Sequence, residues 1–282
     1  MNDMKRIVCA LACIAAANAF AWGDGGHNIS AEIAHRRLSP EARLEVERLF
    51  GPGVSLSSLS NWADDHRPEH PETSRWHFIN IPVKDDRYDR AALCAPRADG
   101  DCILNAIDRV RATLTCPASD AARREALKFA VHLIGDLHQP FHTIAEDLGG
   151  NLIKVTVDIR AGKCPKCAPN PRPDNLHAVW DSGLITNAVW NFGAYVTRLE
   201  TGWLASPEAA GADAGTIEDW LAESHRAATQ VWPWLPEDRV IGDEYFGKAL
   251  PVVDRQLGRA GLRIARFLNE TLPASKRRES CN

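Results

Sequence analysis

Residues Val131 to His142 read VHLIGDLHQPFH, and the fold turns on how this stretch closes a helix. The run before it, SDAARREALKFA from Ser119, offers Ser119 as an N-cap and is rich in Ala, Leu, Lys, Arg and Glu, which cost little in a helix. On that helix His132 and Asp136 stand at i and i+4, so both side chains leave one face a turn apart. Pro140 then stops the helix and turns the chain, which gives His142 an approach to the same point from another direction. Downstream, NLHAVWDSG repeats the spacing with His177 and Asp181 on a further expected helix. Imidazole and carboxylate donors without thiolates are the ligand set of a catalytic zinc site, because they leave positions open for water. One His-x-x-x-Asp pair is weak evidence, and polar helix surface with a satisfied core histidine is the ordinary alternative. Two such pairs beside a third histidine fit a packed core poorly, since His and Asp are seldom buried unpaired.

The chain has 282 residues, ordinary globular composition and a formal net charge of −4. No repeat, linker or composition break divides it. Lys5 and Arg6 precede the apolar run IVCALACIAAANAF, which ends in Ala19-Phe20-Ala21, an A-x-A cleavage signature. Residues 1–21 are therefore expected to be a signal peptide removed before Trp22, with residues 22–282 as one exported domain, secreted or periplasmic. The run is shorter than the roughly 20 residues of a spanning helix, so no membrane anchor is expected. Removing Asp3, Lys5 and Arg6 moves the net charge from −4 to −5. A mildly acidic chain is not a general nucleic-acid coater, and any attraction for phosphate has to be local. Cys94, Cys102, Cys116, Cys164, Cys167 and Cys281 remain, an even set that in an exported protein reads as disulfides. Proximity favours Cys94 with Cys102 and Cys164 with Cys167, leaving Cys116 and Cys281.

Helical patterns run from near His27 to Leu38, from Ser39 to Phe50, from about Ser57 through Trp62, Asp64 and Arg67, and from Asp101 to Thr115. Others cover Asn175 to Leu184, Asn187 to Trp203, Ile217 to Trp232 and roughly Gly242 to Asn269, where Pro251 should kink or delimit the helix. Arg75 to Val83, RWHFINIPV, reads as an extended segment, and GGNLIKVTVDI alternates like a hairpin strand. His77, alone between Trp76 and Phe78, reads by itself as core packing. The sum is an all-α fold, a single mainly helical domain with a short β-hairpin, expected as a monomer.

Taken together, WGxxGH from Trp22, WAD, WHF, HxxGDxxQPxH, GGN and NLHxxWD, in that order from Trp22 to Asp181, resemble the S-one/P-one family of zinc-dependent single-strand nucleases, relatives of the trinuclear-zinc phospholipases C. The resemblance implies three Zn2+. Asp64, His77, His132 and Asp136 would hold the first, and His142, His177 and Asp181 the second. Trp22, through its free amino group and backbone carbonyl, would hold the third with His27 and the other oxygen of Asp136. It further implies that Asp64 orients the attacking water, Arg67 contacts phosphate and Phe78 stacks on a nucleobase. Asn80 stands where fungal members carry an aspartate for the base edge. The implied activity is hydrolysis of single-stranded DNA and RNA to 5′-phosphate products, with 3′-nucleotidase activity. The excess positive charge of three divalent ions over three carboxylates would supply the local attraction for phosphate.

Two rivals remain at this level. A phospholipase C keeps the metals and changes the substrate, but Phe78 and the lack of an exposed apolar stretch favour nucleotides. A non-catalytic periplasmic zinc protein needs every coordination position filled by protein, whereas the second site has only three ligands. His35, His66, His70, His138 and His225 match no motif and read as structural or surface residues. Trp190, Trp203, Trp220, Trp232 and Trp234 read as helix packing.

Overall fold

The computed structural model describes residues 22–161, 170–189 and 191–280. The expected signal segment, Trp190 and Cys164, Cys167 and Cys281 lie outside these. Among the described residues the chain is predominantly helical: α1 Asp24–His35, α2 Pro40–Phe50, α3 Trp62–His66, α4 Arg90–Leu93, α5 Ile103–Thr115, α6 Asp120–Leu137, α7 Leu176–Ala178, α8 Leu184–Ala188, α9 Phe192–Thr201, α10 Ile217–Val231 and α11 Asp243–Thr271. None is long and apolar enough to cross a membrane.

The expected caps form as the residue chemistry dictates. Ser39 accepts from the Ala42 amide before Pro40, and Ser119 accepts from the Ala122 amide at the start of α6. From Ala126 to Leu137 nearly all of α6 is buried, because α5 and α11 pack against it and α1 and α3 add further contacts. A helix enclosed on so many sides can carry buried His132 and Asp136 only if something inside balances them.

Two apolar clusters form the core. One gathers Leu127, Val131 and Ile134 of α6 with α2, α5 and the end of α11. The other gathers Trp22, Phe141, Leu176 and Trp180 with α9, α10 and the sheet. Helix α1 belongs to both, with Ala31 and Ala34 in the first and Ile29 and Ile33 in the second. The metal-grade residues lie along this seam.

The expected hairpin is present and gains a third strand. β1 Lys154–Val157 pairs antiparallel with β2 Arg172–Asn175, Lys154 facing Asn175, and parallel with β3 Val240–Ile241. Pro173 is tolerated because β2 is an edge strand.

Three local expectations are corrected. The stretch from Ser57 is a 3-10 turn, Leu56–Leu59, followed by the short α3. Residues Pro71–His77 are 3-10 helix, and the extended path begins only at Phe78. Pro251 does not end a helix but sits inside α11, on the exposed face, where water can serve the Gly247 carbonyl that its missing N–H leaves. The pairing of Cys94 with Cys102 is present, and Cys116 is also disulfide-bonded.

Candidate metal centre

Asp136, fully buried near the end of α6, is the hub. Its Oδ2 lies 3.0 Å from His77 Nδ1 and 3.2 Å from His132 Nε2. Its Oδ1 lies 3.3 Å from His27 Nε2 and 3.8 Å from His142 Nδ1. Asp64 approaches from α3, its Oδ1 3.6 Å from His77 Nδ1 and 3.7 Å from His132 Nε2. Beyond the Pro140 turn, His142 Nε2 lies 3.9 Å and His177 Nε2 3.4 Å from the Asp181 carboxylate. The side chains expected to hold metal thus converge from separate elements. Their donor atoms form three compact groups, each within 4.8 Å: His27, His132 and Asp136; Asp64, His77 and His132; and His142, His177 and Asp181. His132 falls into two of them, because its ring stacks on that of His27 at 3.9 Å as well as facing His77.

Backbone carbonyls orient the histidines. The Nδ1–H groups of His132, His142 and His177 donate to the carbonyls of Ser60 (2.7 Å), His77 (2.8 Å) and Gly149 (2.7 Å). With Nδ1 engaged in this way, each histidine turns Nε2 toward the centre, the arrangement by which ligating histidines are commonly fixed. Asp181 is steadied by Gln139, whose Nε2 donates to Oδ1 at 2.5 Å while its Oε1 accepts from the Phe141 amide. Gly135 lets α1 close onto α6, since a Cβ there would stand 3.0 Å from His27 Nδ1.

The donor set fits a cation. Buried His27 Nε2, Asp64 Oδ1, Asp136 Oδ1 and His142 Nε2 have no hydrogen-bond partner, a costly condition for groups removed from water. Protonation patterns agree. Burial, together with the neighbouring His132, pushes His27 down to about 4. Burial alone would also lower His132, but the Asp136 and Asp64 carboxylates outweigh it and lift His132 to about 9. A stacked imidazole pair does not hold two charges, and His132 takes the proton because it faces both carboxylates. Burial would raise Asp136, yet His132 and the hydrogen bonds around it hold the carboxyl well below its usual range. Asp181 is pushed well above its usual range by burial, only partly relieved by Gln139. The cluster lacks positive charge, and divalent cations would supply it.

Arg67 and Asp64 stand at the rim, their side chains each 13% exposed and 3.5 Å apart. The extended path alternates: Ile79 and Ile81 are buried against residues 142–144, so half-buried Phe78 and Asn80 share the opposite face. The Arg75 guanidinium lies 5.4 Å from the Phe78 ring centre. Trp22 is buried beside the centre, where the Gly23 amide donates to the Asp181 carbonyl at 3.0 Å. His138 and His225 are structural as expected. His138 donates from Nδ1 to the Ile134 carbonyl and accepts from Arg263, and His225 meets the Asp85 carbonyl.

Sequence reasoning did not single out Gln139, Ser60 or Gly149. Gln139 stood in the quoted QPxH motif and Gly149 in GGN, whereas Ser60 stood in none, and both Ser60 and Gly149 act through backbone carbonyls, a role that side-chain chemistry does not mark. Gly149 lies in a left-handed run with Asp147, Leu148 and Gly150, at φ 64°, and a Cβ there would meet the Phe141 carbonyl at 2.6 Å and His177 Nδ1 at 3.2 Å. Gly149→Ala is expected to displace the carbonyl that orients His177 and to lower metal affinity by about 10- to 100-fold, read by titration with zinc. Unchanged affinity would show that His177 is held by other means.

The S1/P1 Nuclease family profile matches residues 22–273. Endonuclease 2 of Arabidopsis thaliana is 30% identical, over 95% of this chain and 97% of that protein. Nuclease S1 of Aspergillus oryzae is 26% identical, over 89% and 91%. Nuclease P1 of Penicillium citrinum is 26% identical, over 88% and 97%. With near-complete coverage by the family and a buried histidine-aspartate centre of the kind its motifs imply, the chain belongs to the S1/P1 nuclease family, a family of hydrolytic nucleases.

Proposed function

We propose that this protein is a secreted or periplasmic phosphodiesterase that uses three zinc ions to cut single-stranded DNA and RNA to 5′-phosphate products and to dephosphorylate 3′-nucleotides. The observation that carries this reading is Asp136, a fully buried carboxylate with imidazole nitrogens beside both oxygens. Asp64, His77, His132 and Asp136 would hold one ion, and His142, His177 and Asp181 a second. His27, the other Asp136 oxygen and the Trp22 terminus would hold the third. Bound zinc supplies Lewis acidity, lowering the pKa of water from 15.7 toward about 7 and offsetting charge that gathers on the phosphate in the transition state.

The chain's own residues do the rest. Asp64 stands at the rim, where its carboxylate accepts a hydrogen from the attacking water and aims it at phosphorus. The Arg67 guanidinium, beside Asp64, donates to a phosphate oxygen and stabilises its added charge. Phe78 presents a ring face to the base, and Asn80, on the same face of the extended path, meets the base edge with an amide that both donates and accepts.

A panel of single-stranded DNA, RNA, 3′-nucleotides and phosphatidylcholine, assayed with metal content, tests the reading. Hydrolysis of the first three with three zincs per chain is expected. Cleavage of phosphatidylcholine alone, or zinc without hydrolysis of any phosphoester, would overturn it.

Signal removal belongs to the same proposal. A free α-amine with a pKa of about 7.7 to 8.0 can lose its proton and bind zinc, whereas the amide of an uncleaved Trp22 cannot. A form carrying one extra residue before Trp22 is therefore expected to lose one zinc per chain and most of its activity. Full activity with three zincs would show that the terminus is not a ligand.

A further inference from the structure

A column of rings leads away from the centre along the α3 region. Trp62 and His66 stack at 4.2 Å with a 23° tilt, and His66 and His70 stack at 3.8 Å with a 13° tilt. Lys128 Nζ lies over the Trp62 ring, 4.2 Å from its centroid. Phe129 meets Trp62 edge-on at 5.3 Å and roots the column in the core. At the outer end the His70 side chain is 44% exposed, and Glu72 Oε1 fixes its plane by accepting from Nδ1 at 3.0 Å. Among the described residues His70 meets no other ring or cation.

The column is tied to the centre through α6, since Asp64 and Arg67 leave α3 on the face away from Trp62 and His66. Lys128 and Phe129 precede His132 on α6 by about one turn, roughly 5 Å of rise. The rings therefore stand within a nucleotide or two of the residues proposed to meet the scissile phosphate. Their surroundings are mixed in charge, with Arg67 and Lys128 as cations and Glu69, Glu72 and Glu125 as carboxylates near His66. Such a place suits the neutral face of a base rather than a phosphate.

Resting on the proposed single-strand activity, we propose that the Trp62–His66–His70 column is a stacking subsite, with His70 taking the face of a base outside the nucleotide at Phe78. Every base offers a π-face, so the subsite adds affinity for longer strands without reading sequence. It makes no contact with the reacting atoms.

The test is a length series of single-stranded oligonucleotides, from dinucleotide to octanucleotide, with kcat/KM measured for the wild type, His70→Ala and His70→Phe. The wild type should gain with length. His70→Ala should lose about 5- to 100-fold on the octanucleotide while matching the wild type on the dinucleotide, with unchanged zinc content and melting temperature. His70→Phe should restore the gain, because stacking needs the ring and not the imidazole nitrogens. An equal loss at every length, no loss at all, or a length profile in His70→Phe as flat as that of His70→Ala would overturn the subsite. Should His70→Ala fail to fold, the His70→Phe profile decides alone: a retained gain supports stacking and a flat profile overturns it. A wild type that cleaves no single strand defeats the proposed function itself, and that result is in hand before any variant is compared.

Discussion

Asp136→Asn is expected to lower kcat/KM on single-stranded DNA by at least about 1000-fold, equivalent to about 4 kcal/mol of transition-state stabilisation. The substitution barely changes side-chain volume, so packing around α6 should survive. What it removes is the one carboxylate that lies within 3.3 Å of His27, His77 and His132. An amide offers a single weak acceptor oxygen and no charge, so two of the proposed ion positions lose a ligand together. Metal analysis should show fewer zincs per chain, with the helical content of the wild type retained. Full zinc occupancy and activity within 10-fold of wild type would mean that Asp136 is not shared between ions.

Chelation is expected to have the second large effect, abolishing activity and lowering the melting temperature by about 10 °C, since an ion present at about 1000 times its Kd stabilises by about 4 kcal/mol. The size of the drop should depend on pH. In the metal-free protein His132 titrates at about 9, above the 6.5 of an unfolded histidine. A raised pKa contributes stability that is fully present below pH 6.5 and is lost as pH rises toward 9. Asp181, also raised, acts with the same sign over its own range. His27, lowered to about 4, stays neutral above pH 6.5 and adds nothing in this window. The gap between zinc-loaded and metal-free melting temperatures should therefore widen from pH 6.5 to pH 9, and zinc binding near neutrality should release a proton from His132. A gap that narrows over that range would place the proton elsewhere. Re-addition of zinc should restore both activity and melting temperature.

Much of the centre was legible because its ligands obey local spacing rules. The pair His132 with Asp136 follows from helical periodicity alone, and Ser119 and Pro140 mark the two ends of the stretch that carries it. His177 and Asp181 keep the i and i+4 spacing, but Asp181 lies in a π-helical turn, Val179–Gly183, where a regular helix was expected. His77 was opposite in kind. By its flanking aromatics it read as packing, and only the ordered set of motifs drew it into the centre. The structure places its Nδ1 3.0 Å from Asp136 across 59 residues of chain, a separation no periodicity spans. The 3-10 turns at Leu56–Leu59 and Pro71–His77 were missed because such short turns lack an apolar repeat long enough to be told from a helix or a strand. That Pro251 does not end α11 was not legible, because its cost in a helix depends on which face it occupies, and burial is a tertiary property.

The order of residues by itself determined the donor types and the helical spacings that pair them, which rest on chemistry within a few residues, and the family to which the chain belongs, which rests on the succession of motifs from Trp22 to Asp181. Tertiary structure alone decided that α1, α3, α6 and the Pro140 turn meet along the seam of two apolar clusters, that His132 faces two groups of donors, and that the carbonyls of Ser60, His77 and Gly149 set the histidine tautomers. The physical reason is that backbone carbonyls are present at every residue. Which of them turns toward an imidazole depends on how distant segments pack, and no side chain announces it.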